Sequence, residues 1–170
     1  KVAAIDPFFL DETQTAAELC VKHNKPYVTI DCCHDNYLHQ HCAVNVVSKE
    51  CTGSEQYKDK SMEEIFNLLT ESTDGLVIIT RGEKEILYGR KGQPMKKMKP
   101  FDTEVKSTLG AGDTFKAGCI YGLLHNMSDD ELVRFAAACS SIAISRFPLP
   151  LQPPTLNDVN NVLNGSSSKA

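Results

Sequence analysis

Lys106-Ser107-Thr108-Leu109-Gly110-Ala111-Gly112-Asp113-Thr114-Phe115 decides how this chain is read. Two glycines flank one alanine, an aspartate follows, and a long apolar-periodic segment begins there. Such a stretch builds a helix N-terminus open enough for a phosphate to touch its backbone. The free N–H groups and the helix dipole both attract anions. Asp113 is not needed for that attraction and would repel a phosphate. It makes better sense as a base that takes a proton from an attacking hydroxyl.

Working outward, the pattern predicts strands at 2–5, 27–30, 43–47 and 76–79. Asp11 is a candidate cap for a helix to about 24, stopped by Pro26. The polar stretch 31–42 reads as loop with room for one helical turn. Ser61 with Glu64, and Ser128 with Glu131, read as capping boxes for helices to about 70 and 145. Residues 85–88 and 95–98 are matched for a hairpin across Lys91-Gly92. Further helices are expected at 111–125 and 155–163, joined through Pro148, Pro150, Pro153 and Pro154. The expectation is one domain over 1–164 with a disordered tail at 165–170. Alternating strands and helices give an α/β fold: a mostly parallel sheet with helices on both faces, three layers deep. Ligands in such sheets sit beyond the carboxyl ends of the strands, where Thr80-Arg81-Gly82 falls.

The 170 residues are 41% hydrophobic and 24% charged, enough for a real core. A net charge of −4 argues against a broad nucleic-acid surface. No apolar run reaches the ~20 residues of a membrane span. Seven irregularly spaced cysteines read as free thiols in a reducing cytoplasm. Cys20, Cys119 and Cys139 fall on apolar helix faces, as core residues do. Cys32-Cys33-His34 with His39, His41 and Cys42 is dense in metal-ligand types, although the spacing matches no standard two-plus-two set. Lys96, Lys97 and Lys99 read as a solvated strand face. A Walker loop needs Lys-Ser or Lys-Thr after its last glycine, where Asp113-Thr114 stands. The three-glycine dinucleotide fingerprint is missing too.

The stretch 107–115 resembles the carboxy-terminal signature of ribokinase-like (phosphofructokinase-B type) carbohydrate kinases, Asp-Thr-x-Gly-Ala-Gly-Asp with an aromatic two residues on. Thr80-Arg81-Gly82, Phe135-Ala136-Ala137-Ala138, Ile144-Ser145-Arg146 and Pro154-Thr155 follow the family's order. The agreement corresponds to the family's carboxy-terminal half and lacks the amino-terminal half with its sugar-binding residues and lid. The resemblance implies ATP-dependent phosphorylation of a sugar or related small alcohol. It makes Asp113 the base, Gly110, Ala111 and Gly112 the anion hole, and Thr80, Gly82, Thr108 and Ala137 the nucleotide site. Mg²⁺ would accompany ATP, with Glu50 acting on it through water. Ser107 replaces the family's first signature aspartate and Pro148 a later glycine, which weakens the case for monovalent-cation activation. Ala137 stands where an asparagine is common by the adenine, and Ser48-Lys49-Glu50 disturbs the usual Asn-x-x-Glu. The resemblance leaves a second expectation, a catalytically incomplete fragment or a nucleotide-binding, regulatory module. Such a half would self-associate as a homodimer or pair with the missing amino-terminal half.

Overall fold

The computed structural model describes residues 1–148 and 151–165. Pro150 and residues 166–170 of the expected tail lie outside them. The chain divides into two compact units, Lys1–Met98 and Lys99–Ala170, where the sequence reading takes 1–164 as one domain.

The first unit runs β1 (Ala3–Ala4), α1 (Leu10–Lys22), β2 (Tyr27–Ile30), α2 (Tyr37–His41), β3 (Val44–Val47), α3 (Lys49–Thr52), α4 (Met62–Glu71), β4 (Leu76–Ile79), β5 (Ile86–Gly89) and β6 (Lys96–Met98). Its six-stranded sheet keeps that order. β1 to β4 are parallel, and the β5–β6 hairpin joins β4 antiparallel. Every residue of β3 and β4 is buried, as strands covered on both faces must be. Register puts Tyr27, Thr29, Asn45, Val47, Val77, Ile79 and Leu87 on one face. There, Ile65, Phe66 and Leu69 of α4 pack on Val47, Val77, Ile79 and Leu87. Ala17 of α1 and Leu38 of α2 pack with Ile5 and Tyr27. Lys96 and Lys97 are exposed on edge strand β6, where charge discourages pairing with another sheet.

The start of α1 differs from the sequence reading. A 3₁₀ turn at Pro7–Phe9 precedes it, and the cap position is Phe9, not Asp11. Thr13 closes that end instead. Its hydroxyl accepts from the Phe9 N–H at 3.2 Å and donates to the Asp6 carbonyl at 3.0 Å. Asp11 sits in the first turn, where a carboxylate complements the dipole.

The second unit holds α5 (Ala111–Leu124), α6 (Asp129–Ile144) and α7 (Leu156–Leu163). α5 and α6 meet through small residues. A Cβ at Gly118 would stand 2.6 Å from the Ala136 Cα, and one at Gly122 would stand 2.8 Å from Leu132. Phe135, Ala138, Cys139 and Ile142 of α6 enclose Val159 of α7. An Arg146–Asp158 ion pair at 3.0 Å ties the end of α6 to α7. Among the described residues, no helix is long and apolar enough to cross a membrane.

Candidate functional site

The candidate residues fall into both units. In the first, the carboxyl ends of the parallel strands are stitched together. The Thr80 N–H, just past β4, donates to the Val47 carbonyl at 2.8 Å. The Ser48 N–H, just past β3, donates to a carboxylate oxygen of Asp31 at 2.6 Å. The Asp31 N–H, just past β2, donates to the Val46 carbonyl at 2.9 Å. Thr80, Ser48 and Asp31 therefore share one strand-end ledge. Gly82 turns the chain away with φ +66°, and a side chain there would meet only open space. Its need for glycine is conformational, not steric. Ser48 caps α3, its hydroxyl accepting from the Cys51 N–H at 3.3 Å. Glu50 follows in that first turn, exposed, with Lys49 Nζ 3.7 Å from its carboxylate.

In the second unit, Gly110 holds the cap position of α5 in the left-handed conformation, φ 78°, and no side chain closes the helix start. The Ala111 N–H turns back to the Thr108 carbonyl at 3.2 Å. Thr114 is anchored on Gly110: its N–H and hydroxyl both donate to that carbonyl, at 2.9 and 2.8 Å. Between them, Gly112 and Asp113 occupy first-turn positions whose N–H groups have no carbonyl one turn back. Both residues are exposed. Positive dipole, open amides and absence of a side-chain cap together are the chemistry an anion favours.

The Asp113 carboxylate projects from this turn with 78% of its side chain exposed, and Lys116 Nζ lies 3.7 Å from Oδ1. Lys116 itself is 8% exposed. Ala137 is buried on α6. Ser140, one turn on, donates to the Ala111 carbonyl at 3.1 Å, so α6 is pinned to the open turn. A pocket of about 500 Å³ also opens in this unit, with Asp113, Thr114, Tyr121, Phe135, Pro153 and Val159 in its wall. Tyr121 stacks on Phe135 with ring centroids 4.6 Å apart.

The structure thus brings Gly110, Ala111, Gly112, Asp113 and Thr108 into one turn, with Ala137 on the helix pinned to it. Thr80, Gly82 and Glu50 belong to the first unit. Sequence reasoning missed two residues. Asp31 holds φ 52°, a conformation aspartate tolerates better than most residues, and its place at a strand end was the available signal. Lys116 was legible as a lysine three positions after Asp113 on an otherwise apolar helix face.

In the cysteine–histidine segment, His39 and Cys42 are satisfied by the fold. The His39 ring is buried, with Nε2 2.9 Å from the Leu69 carbonyl and Nδ1 2.7 Å from the Asn45 amide. Burial holds its pKa below the ordinary 6.5. Cys42 donates to the His39 carbonyl, and burial pushes its thiol up to about 12. Among the described residues, no cluster of three or more His, Cys, Asp or Glu is arranged to hold a metal ion. Cys119 and Cys139 are buried, while Cys20 is half-buried at the edge of its cluster.

Residues 48–149 match the pfkB family carbohydrate kinase profile. The ribokinase of Lactococcus lactis is 28% identical over 110 residues, covering 65% of this chain and 34% of its own length. The fold superposes on a ribokinase structure from Thermotoga maritima with a TM-score of 0.80 at 19% identity. That match covers 96% of this chain and 57% of the other. It superposes equally, at 0.80 and 14% identity, on an Escherichia coli putative ribokinase II solved with ATP and Mg²⁺, covering 96% and 58%. The chain therefore spans about a third of its curated relative and just over half of these solved chains.

Proposed function

Because the chain belongs to the pfkB family of carbohydrate kinases, we propose that it carries the phosphoryl-transfer half of a site that phosphorylates a sugar or related small alcohol from ATP. One observation carries this reading: the uncapped start of α5, with Asp113 in its first turn. The transferring phosphoryl group sits against the open amides of Gly112 and Asp113, where charge developing on its oxygens meets a preorganised positive end. Gly110, in its left-handed conformation, and Ala111 shape that hole. The Asp113 carboxylate takes the proton of the acceptor hydroxyl as its oxygen attacks in line. The Lys116 ammonium, 3.7 Å from Asp113 Oδ1, holds the carboxylate's direction. Thr80 and Gly82 in the first unit, and Thr108 and Ala137 in the second, are the residues that the family's order assigns to nucleotide contact. Mg²⁺ supplies charge neutralisation on the phosphates, and Glu50 suits an outer, water-mediated contact because it is exposed and lies one position from the family's usual register. Ser107 and Pro148 argue against a monovalent-cation requirement. A cytoplasmic location fits the unpaired cysteines.

The chain's limited span favours a second reading, in which the residues present bind nucleotide without turning over an acceptor. Calorimetry with Mg²⁺–ATP followed by an ADP-release assay over a panel of sugars and nucleosides separates the two. The first reading predicts turnover with at least one acceptor, abolished in Asp113→Asn with nucleotide binding kept. Binding without turnover on any acceptor supports the second. Near-normal turnover in Asp113→Asn overturns the assignment of the base.

A further inference from the structure

Two histidines of the segment after β2 are treated differently by the fold. His39 has both ring nitrogens filled from within. His34 has one side of its ring filled and the other left open. The Tyr57 hydroxyl accepts from the His34 backbone N–H at 3.0 Å and lies 3.1 Å from Nδ1 of the same residue. Tyr57 is 1% exposed, so its O–H proton needs an acceptor within the protein. Nδ1 is that acceptor. The Gln56 amide makes the same demand: its NH₂ donates to Asp35 Oδ1 at 3.1 Å and lies 3.5 Å from His34 Nδ1. Two donors on one side of the ring leave Nδ1 unprotonated, so the neutral ring carries its proton on Nε2. Among the described residues, nothing bonds Nε2. The ring is half-buried, and it follows by three residues the Asp31 that ties the strand-end ledge to Ser48. Ligands of parallel sheets gather at that end.

We propose that His34 is a phosphate-binding residue of the nucleotide site, donating its Nε2–H to a phosphate oxygen. Tyr57 is the positioning residue that fixes the tautomer. The inference rests on the nucleotide reading above. An Nε2–H offers a proton and no lone pair, and phosphate oxygens are acceptors that reward such a donor. The nearby acids do not cancel the attraction. Asp31 Oδ1 is engaged by the Ser48 N–H, Asp35 is engaged by Gln56, and the nucleotide brings its own Mg²⁺. A buried tyrosine spent on one half-exposed ring is the supporting arrangement a binding histidine needs, because it sets which nitrogen faces the ligand.

The test joins nitrogen NMR of the imidazoles in the full chain with calorimetry of Mg²⁺–ATP. Ligand-free His34 should show the Nε2–H tautomer, and its Nε2 signal should move as Mg²⁺–ATP is added. Tyr57→Phe keeps the buried ring and should turn that tautomer into a mixture. His34→Ala should weaken Mg²⁺–ATP binding about 10-fold. His34→Gln, whose amide N–H can stand in for Nε2–H, should recover most of the loss. An Nδ1–H tautomer in the wild type, an Nε2 signal unmoved by bound nucleotide, or wild-type affinity in His34→Ala overturns the proposal alone. A wild-type chain that binds no Mg²⁺–ATP overturns the nucleotide reading and the role of His34 together. The wild-type spectra decide even if a variant fails to fold.

Discussion

The starts of α5 and α6 lie in the same unit and are built in opposite ways. At α6, the Ser128 hydroxyl accepts from the Glu131 N–H while the Glu131 carboxylate accepts from the Ser128 N–H at 2.8 Å. α4 and α7 repeat this closure with Ser61–Glu64 and Thr155–Asp158. At α5 a left-handed glycine replaces the capping side chain, and the first turn stays open. The closed ends consume their amides for stability. The open end forgoes about 1 kcal/mol of capping and leaves its amides unfilled. Under the proposed function, the difference separates a helix that supports from a helix that binds.

The sharpest way to break that contrast is to remove the acid from the open end. Asp113→Asn should lower phosphoryl transfer by about 10³-fold while Mg²⁺–ATP affinity, read by calorimetry, stays at the wild-type value. Next comes the seam that aims the open turn. Gly118→Ala drives a Cβ into the Ala136 backbone and should lower stability by about 1–3 kcal/mol in urea unfolding. Gly110→Ala forces an ordinary residue into φ 78° at a cost of about 1–2 kcal/mol. It should also weaken nucleotide binding, because the turn must rearrange. Ser128→Ala, at the closed end, should cost about 1 kcal/mol in the same unfolding assay and leave nucleotide binding untouched. The smallest effect is a pH dependence at α7. The Arg146 guanidinium and then Thr155 hold the Asp158 carboxyl at about 2, below its ordinary 3.8. A depressed carboxyl contributes its stability in full above 3.8 and loses it as pH falls through about 2. Acid unfolding followed by circular dichroism should flatten in that window for Asp158→Asn.

The contrast also explains what could be read from the residues alone. Serine followed by glutamate three positions on is a local pattern, so the capped ends of α4 and α6 were legible. Strands at Tyr27–Ile30 and Leu76–Ile79 were equally plain, because continuous apolar runs bounded by turn residues have few other uses. The glycine pattern of 110–113 was legible because an open helix start must spend its capping position. What depends on distant partners was not. α3 is four residues long and stands on Ser48, whose own N–H is held by Asp31 seventeen positions away. Asp11 looked like a cap because nothing local revealed that Thr13 would close the turn at Phe9. His39 sat in a run of metal-ligand residue types, and only the fold shows Asn45 and the Leu69 carbonyl satisfying both its ring nitrogens. Asp31 joined the ledge only once parallel pairing aligned the ends of β2, β3 and β4.

The most direct test of the open-end account is an amide NMR titration of the full chain with Mg²⁺–ATP. Large shifts are expected at Gly112 and Asp113, with little change at the capped starts, Ser61, Ser128 and Thr155. Unmoved Gly112 and Asp113 amides in a chain that binds the nucleotide, or equal shifts at the capped ends, would contradict the open-end account.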